Sequence, residues 1–462
     1  MHSTDSPDLM RRRLLAGTGL ALAGLAAPRI WAQAAPAGSA RGQQGRLVVV
    51  LLRGAYDGLS AFVPYTDADY YSMRPNIAIA APDGSTRTAI KLDDTFALHP
   101  SLSPLLPLWQ QGVLSFVPAA GLPTPNRSHF SAQYEMEIAQ GGKNSATAGW
   151  LNKAAGVSGA NSRGASAAAI ALGVGEANPA ILAGEASVRL IPRGQAAERT
   201  GVLANDKTRQ ALMDLYAGND KISEAFRQGA GSRVQSAQEL SIEKAAVTTR
   251  REMAAREAAA KEGNRMLDRD GTPPTTQAQN AQMLAASNGA ADPVGLQLDA
   301  QHLGTLMRND RSLRLGFLSA GGWDTHANQG NATGQLANNL GNLGRGIMQL
   351  RQDFSEPGDV VVVMSEFGRT ASENGSRGTD HGYGNAMWLM GNHINGGRWH
   401  GQWTGLARGN LNESRDLPAH HDYRAVLAHV LRATFAMPDT ALASVLPGAR
   451  WDSRLDGLMR RA

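Results

Sequence analysis

Two unbroken runs of aliphatic residues constrain the fold of this chain more than any other feature. Leu47–Leu52 has the sequence LVVVLL, and four consecutive valines occupy positions 360–363. A strand with one solvated face alternates apolar and polar side chains, so a run without alternation predicts a strand that is buried on both faces. Such strands belong to parallel sheets covered by helices on both sides.

Weaker apolar runs alternate along the chain with segments of helical periodicity, such as 128–140 and 335–354. This alternation predicts an α/β protein with a doubly wound, mostly parallel sheet flanked by helices. The weaker runs that we predict as strands are 76–80, 113–117, 166–173, 187–191, 313–319 and 386–390.

Residues 200–300 differ in composition from the rest of the chain. Segment 205–267 is rich in Ala, Glu, Lys, Arg and Gln, so its helix propensity is high. Segment 268–295 collects Gly, Pro, Thr, Gln and Asn and predicts a loop or mobile connection. We predict a mainly helical insertion within an α/β domain that spans 35–462. A solvated cap without a catalytic role and a substrate lid are both compatible with this composition.

Residues 1–34 have the pattern of an export signal. Arg11, Arg12 and Arg13 precede a stretch rich in Gly, Ala and Leu, and positions 32–34 offer a small-residue cleavage site. The paired arginines resemble a twin-arginine signal, which predicts contact with the twin-arginine export machinery and a periplasmic or secreted bacterial protein. An ordinary secretory signal is the alternative. The apolar stretch is too short to span a bilayer stably, and we predict no stable membrane span.

Charge and cysteine content exclude several functional classes. The formal net charge is +5, and no basic stripe interleaved with aromatic residues appears, so we predict no nucleic-acid binding. The chain has no cysteine, which excludes disulfides and thiolate ligands. Any bound metal must therefore be held by oxygen and nitrogen atoms.

Residue types that bind metals follow the apolar runs. The parallel strands of an open α/β sheet direct their carboxyl ends to one edge, where ligands bind. We therefore predict convergence on one or two divalent cations, with zinc, calcium, magnesium and manganese all compatible. The candidate ligands are Asp57, Asp324, His326, Glu366, Asp380 and His381.

Plainer local explanations compete with this prediction. Asp57-Gly58 is the sequence of a simple turn, and Asp324 could cap a turn beside an exposed His326. Glu366 could pair with Arg369 at the start of a helix.

A further polar segment, 126–129, precedes a helical pattern, and either Asn126 or Ser128 could cap that helix. A hydroxyl at a helix start also lies near unpaired N–H groups that attract phosphate or sulfate. A neighbouring divalent cation would activate such a hydroxyl as a nucleophile. Ser128 is therefore the candidate catalytic residue. Arg127 and Arg369 are candidates for binding the anionic group, because the guanidinium fork suits it.

In their order along the chain, these motifs resemble those of the DUF1501 family of exported bacterial proteins. The resemblance spans roughly residues 45–440 and is carried by RGAYDGLS (53–60), LHP (98–100), RSHF (127–130), WDTH (323–326), SEFGRT (365–370) and GTDHG (378–382).

The resemblance implies a branch of the alkaline phosphatase and sulfatase superfamily. It makes Asp57 the first metal carboxylate, Ser128 the nucleophile, and Asp324 and His326 ligands of the other metal, with Asp380 and His381 as late ligands. Two departures from the superfamily pattern are visible. Asp324 and His326 are two positions apart rather than four, and Phe367 replaces an expected histidine.

The combined prediction is an exported, metal-dependent, hydrolase-like protein that acts on phosphate or sulfate esters. The alternative is a non-catalytic exported binding or scaffold protein that carries a degenerate metal site on the same fold.

Overall fold

The computed structural model describes residues 45–140, 148–160, 169–258 and 277–460, without the side chains of 159–160 and 247–258. The predicted export signal, 1–34, lies outside the described residues. The strands are β1 (Leu47–Leu52), β2 (Phe62–Val63), β3 (Ile90–Lys91), β4 (Ala97–Leu98), β5 (Leu114–Gly121), β6 (Ala171–Gly175), β7 (Val188–Pro192), β8 (Leu315–Ala320), β9 (Val360–Ser365), β10 (Asn385–Met390) and β11 (His421–Asp422).

The α-helices of the described residues are α1 (Gly58–Ala61), α2 (Ala68–Met73), α3 (Leu106–Gln110), α4 (His129–Ile138), α5 (Trp150–Ala160), α6 (Asp206–Leu215), α7 (Lys221–Ala258), α8 (Gln277–Ala286), α9 (Leu296–Asn309), α10 (Gln335–Asp353), α11 (Tyr423–Phe435) and α12 (Asp439–Val445). Short 3-10 helices cover Pro100–Leu105, Ala180–Leu182, Gly194–Glu198, Gly201–Ala204, Pro293–Gly295, Arg408–Asn410 and Ser453–Leu455. Among the helices described, none combines the length and the apolar character that crossing a membrane requires.

Eight strands form one large sheet in the order β11-β5-β10-β9-β1-β8-β6-β7, and three short strands form a second sheet in the order β2-β4-β3. In the large sheet only β10 is antiparallel to its neighbours, β5 and β9. The other paired strands run parallel. The predicted α/β class with a mostly parallel sheet flanked by helices is therefore confirmed.

The two aliphatic runs lie at the centre of this sheet as β1 and β9. Odd-numbered residues of β1 pack into one apolar cluster and even-numbered residues pack into another, and each of these side chains is at most 1% exposed. Helices α4, α5 and α11 cover the first face, and α9 and α10 cover the second. Burial of each valine or leucine stabilises the fold by about 1.5–3 kcal/mol, which explains why neither face of these strands tolerates polar side chains.

Two local predictions were wrong. Residues 76–80 form no strand, because their N–H groups are bonded elsewhere: the N–H of Ile79 donates to the hydroxyl of Tyr70, and that of Ala78 to the carbonyl of Arg74. The segment 268–295 is not simply a loop, because it contains α8; residues 268–276 lie outside the described residues. Within 200–300 the described residues form helices and turns, including α6, α7 and α8.

Candidate metal centre

The polar segments meet at one edge of the large sheet. β8 ends at Ala320 ahead of Asp324 and His326, and β9 ends directly before Glu366. β10 runs in the opposite direction, so the segment that precedes it, with Asp380 and His381, arrives at the same edge.

Three imidazoles and one carboxylate direct single atoms at a common point; we call them the imidazole cluster (His129, Asp324, His326 and His381). The Nε2 atom of His381 lies 2.9 Å from the Nε2 of His129 and 2.9 Å from the Nε2 of His326. The Oδ1 atom of Asp324 lies 3.4, 2.9 and 3.2 Å from the Nε2 atoms of His129, His326 and His381, respectively.

The second ring nitrogen of each histidine faces an oxygen that can only accept a hydrogen bond. The Nδ1 of His129 lies 2.8 Å from Oε1 of Glu366, and the Nδ1 of His326 lies 3.2 Å from Oδ1 of Asp380. The Nδ1 of His381 lies 2.9 Å from the carbonyl oxygen of Arg127. All three Nδ1 atoms must therefore carry the proton, and in the neutral rings the three Nε2 lone pairs point at one another.

Lone pairs in this arrangement repel unless a positive charge lies between them, and a metal ion would supply that charge. Four tetrahedral ligands at 2.0–2.1 Å from zinc are separated by about 3.3 Å. The ligand atoms of His129, Asp324 and His381 lie 2.9–3.4 Å apart, and the Nε2 of His326 lies 2.9 Å from the ligand atoms of Asp324 and His381. Histidines that donate their other N–H to a carboxylate or carbonyl are the usual metal-binding form. Three nitrogens and one oxygen fit zinc better than calcium or magnesium, which prefer oxygen.

The carboxylates around the cluster are held in their ionised forms. Burial alone would raise the pKa of Asp324, but the three imidazoles beside it, together with the charge of Arg369, keep it well below its usual range. Burial would likewise raise the pKa of Glu366, and the hydrogen bond from His129 lowers it. Burial would lower the pKa of His129, whereas its bonds to Asp324 and Glu366 raise it to about 9 in the metal-free protein. The site therefore attracts positive charge to its centre.

Arg369 lies beneath the cluster rather than on its open side. Its side chain is buried, and Nη2 donates to Oδ1 of Asp324 at 2.7 Å. Its other contacts are the carbonyl oxygens of Gly54, Ala55, Trp323 and Thr379. Arg369, which the sequence predicts to bind substrate, fastens three strand-end loops around Asp324. The suggested local pair of Glu366 with Arg369 is not formed.

Asp57 also occupies the sheet edge, but its carboxylate is engaged by other groups. Arg74 donates to both carboxylate oxygens, at 2.6 and 3.1 Å, and both side chains are buried. Gln329 donates to Oδ2 of Asp57 at 2.7 Å and accepts hydrogen bonds from the hydroxyls of Thr325 and Thr379. Asp57 lies outside the imidazole cluster. Through Gln329 it supports the loop of Thr325 and the loop of Thr379, which carry residues of the cluster.

Glycine permits the ligand loops to touch through their backbones. A Cβ atom added at Gly378 would lie 2.3 Å from the carbonyl carbon of His326. The amide of Thr379 donates to the carbonyl of Thr325 at this contact. A side chain at position 378 would force apart the loops that carry Asp324, His326 and His381.

Ser128 lies at the N-terminal end of α4, between two groups of the site. The carbonyl of the preceding residue, Arg127, receives the bond from His381, and the following residue is the cluster member His129. The Ser128 side chain is exposed and makes no capping hydrogen bond. The guanidinium of Arg127 is held by two acidic side chains: its Nη2 pairs with Glu413 at 2.8 Å and with Asp416 at 3.0 Å.

His129 is the site residue that the sequence did not single out as a ligand. The sequence indicates only that this histidine begins a helix, because a histidine directly after a candidate capping serine has no metal-ligand spacing of its own. Gln133, one turn further along α4, was also missed. It donates to Glu366 at 2.9 Å and accepts a bond from Arg53 at 2.9 Å. The usable signal was the i, i+4 pairing of two polar residues on a helix that leaves a strand end.

One comparison with known proteins gives a match. The family described as "protein of unknown function (DUF1501)" matches residues 44–446, which is most of the chain. The chain belongs to the DUF1501 family. No curated protein matches it. The matched range includes every strand of the large sheet and all four members of the imidazole cluster, so the site lies within the DUF1501 portion.

A small opening adjoins the cluster on the side of His326, whose side chain is 30% exposed. It holds about 10 Å³ of interior space, close to the room that one water molecule needs. One wall is the loop Asp324 to Ala327, and the other is formed by α8 and Gln335. The helical insertion therefore reaches the imidazole cluster.

Proposed function

We propose that this DUF1501 protein binds one divalent cation, of zinc type, in the imidazole cluster and hydrolyses phosphate or sulfate esters after export. One observation carries the metal proposal: the ligand atoms of His129, Asp324 and His381 all lie within 4.8 Å of one another, the Nε2 of His326 lies beside two of them, and every Nδ1 is committed as a donor. The proposal includes an alkaline phosphatase-like form of the observed α/β fold and a periplasmic or secreted location reached by the twin-arginine machinery.

A single cation is favoured over two because guanidinium groups already supply positive charge to the neighbouring carboxylates. Arg74 pairs with Asp57, and Arg369 pairs with Asp324. A second cation beside Asp57 would have to displace a buried charge pair, which costs several kcal/mol.

A divalent cation bound here would polarise the ester oxygen and lower the pKa of a bound hydroxyl or water. Ser128 is the proposed nucleophile. Its oxygen would form the bond to phosphorus or sulfur while its proton passes to a base, the bond to the alcohol oxygen would break, and the alcohol would leave with a proton from solvent. Water would then cleave the seryl ester and release the inorganic anion. The unpaired N–H groups at the start of α4 favour an anion beside Ser128.

Metal analysis of purified, unchelated protein tests the first half of the proposal. We expect about one zinc-type ion per chain and loss of that ion in His129→Ala. Protein that carries no divalent metal under these conditions contradicts the proposed centre.

Turnover of aryl sulfates and aryl phosphates tests the second half. We expect activity that disappears in Ser128→Ala and persists in the matched control Ser131→Ala, an exposed serine on the same helix. Metal without turnover would favour the non-catalytic binding protein.

A further inference from the structure

The groups around the metal centre leave it without net charge once a divalent cation is bound. The charges nearest the cation are three carboxylates (Asp324, Glu366 and Asp380) and the guanidinium of Arg369. Together with the cation they sum to zero.

The next shell of charges is also balanced. Arg127 and Arg415 lie near His381, since the carbonyl of Arg127 and the guanidinium of Arg415 both bond to it. Both guanidinium groups are paired, Arg127 with Glu413 and both arginines with Asp416. Neither of these two guanidinium groups is therefore free to compensate a second negative charge on a substrate.

The wall of the opening that faces the loop of Asp324 and His326 is formed by uncharged side chains. Gln279, Gln282 and Met283 stand at i, i+3 and i+4 on α8 and so share one face of that helix. Gln335 lies beside them, and its Nε2 is 3.0 Å from the sulfur of Met283. Neither lysine nor arginine occurs among the lining residues described.

The C-terminal end of α8 is fixed to the metal centre. Gln133 donates to the carbonyl of Ala286 at 2.7 Å and, through the same nitrogen, to Glu366. The hydroxyl of Ser287 accepts a bond from the amide of Gly322 at 3.0 Å, in the loop that leads to Asp324. These bonds fix the position of α8, and with it the carboxamides of Gln279 and Gln282, relative to the cation site.

We infer that the site selects an ester with a single negative charge, a sulfate monoester or a phosphate diester, over a doubly charged phosphate monoester. This inference rests on the proposed function and names its substrate class. Carboxamide N–H groups of Gln282 and Gln335 can donate to the non-bridging oxygens of such an ester without adding charge. A second negative charge on the ester would lose its hydration at an opening whose lining adds no lysine or arginine to compensate it.

Binding of two analogues that cannot be hydrolysed tests the inference independently of catalysis. Phenylsulfonate is a monoanion, and phenylphosphonate is a dianion at pH 8.5. In isothermal titration of the zinc-loaded full chain we expect phenylsulfonate to bind about tenfold more tightly. Equal or tighter binding of phenylphosphonate would overturn the inference.

Substitution of the lining then tests the residues. Gln282→Lys adds a cation to the opening, so we expect phenylphosphonate to gain affinity relative to phenylsulfonate by about tenfold. The matched control Gln277→Lys places the same charge on an exposed position of α8 outside the lining, and we expect little change in the ratio. The same change of the affinity ratio in both variants would contradict a role for Gln282 in binding the ester.

Turnover separates this inference from the proposed function and distinguishes the two ester classes. Three substrates with a common leaving group are compared: 4-nitrophenyl sulfate, bis(4-nitrophenyl) phosphate and 4-nitrophenyl phosphate. We expect kcat/KM for at least one of the two monoanions to exceed that for the dianion. Turnover that prefers the dianion contradicts the inference and leaves the hydrolase intact. Preferential binding of phenylsulfonate without any turnover supports the inferred recognition and contradicts the hydrolase.

Discussion

Replacing Glu366 by glutamine isolates the electrostatic contribution of the carboxylate behind His129. Oε1 of Glu366 accepts three hydrogen bonds, from His129, from Gln133 and from the amide of Gly54, at 2.7–2.9 Å. Oε2 accepts a bond from Ser365 at 3.0 Å. A glutamine with its carbonyl oxygen at the Oε1 position keeps all three bonds, and its NH₂ can donate to Ser365. The substitution therefore removes the charge and conserves the shape.

Loss of this charge should weaken zinc binding substantially. A carboxylate partner makes the imidazole a stronger ligand, and removal of such partners reduces metal affinity by 10–100-fold, or about 1.4–2.8 kcal/mol. The upper part of this range applies to Glu366, whose side chain is fully buried. Asp380, the equivalent partner of His326, is 55% exposed, so Asp380→Asn should reduce affinity by about tenfold or less.

Competition with a chromophoric chelator measures the zinc affinities of the three proteins. Asp452→Asn is the matched control, because Asp452 holds the Nδ1 of His421 at 2.7 Å in a carboxylate–imidazole pair that is not part of the cluster. We expect the control to match the unmodified protein. Unchanged affinity in Glu366→Gln, or a larger loss in Asp380→Asn, would refute the assigned order of the two partners.

Three further predictions concern stability. If zinc is present at a thousand times its Kd, its removal by a chelator should lower the free energy of unfolding by about 4 kcal/mol. Equal denaturation midpoints with and without chelator would contradict a metal site in the folded state. Arg74→Met should cost about 3–5 kcal/mol in urea denaturation, because it leaves the buried carboxylate of Asp57 unpaired, and Asp57→Leu combined with it should recover much of that loss. Burial raises the pKa of Asp299 from 3.8 to about 6. The folded state therefore holds this proton more tightly, and stability is lost as pH rises from 4 to 6, by up to about 3 kcal/mol. Asp299→Asn should gain stability relative to the unmodified protein over that range, and parallel pH profiles would contradict the cause.

Much of the fold could be predicted from the sequence because a strand that is buried on both faces leaves a local pattern, a run of consecutive apolar residues. The runs at β1 and β9 lack polar residues on either face, a pattern that only a two-sided core tolerates. The other weaker runs were predicted with ends displaced by a few residues: run 166–173, for example, corresponds to β6 at Ala171–Gly175. Residues 76–80 misled the prediction because Ile77 and Ile79 are buried without a neighbouring strand.

The sequence by itself determined which edge of the sheet would carry the chemistry, because acids and imidazoles follow strand ends and parallel strands end together. Only the tertiary structure decided which of these groups meet. It brings His129 into the cluster from α4, and it pairs Asp57 with Arg74 and Asp324 with Arg369. A carboxylate can be neutralised by a metal or by a guanidinium. Which one reaches it depends on long-range packing that no local pattern records.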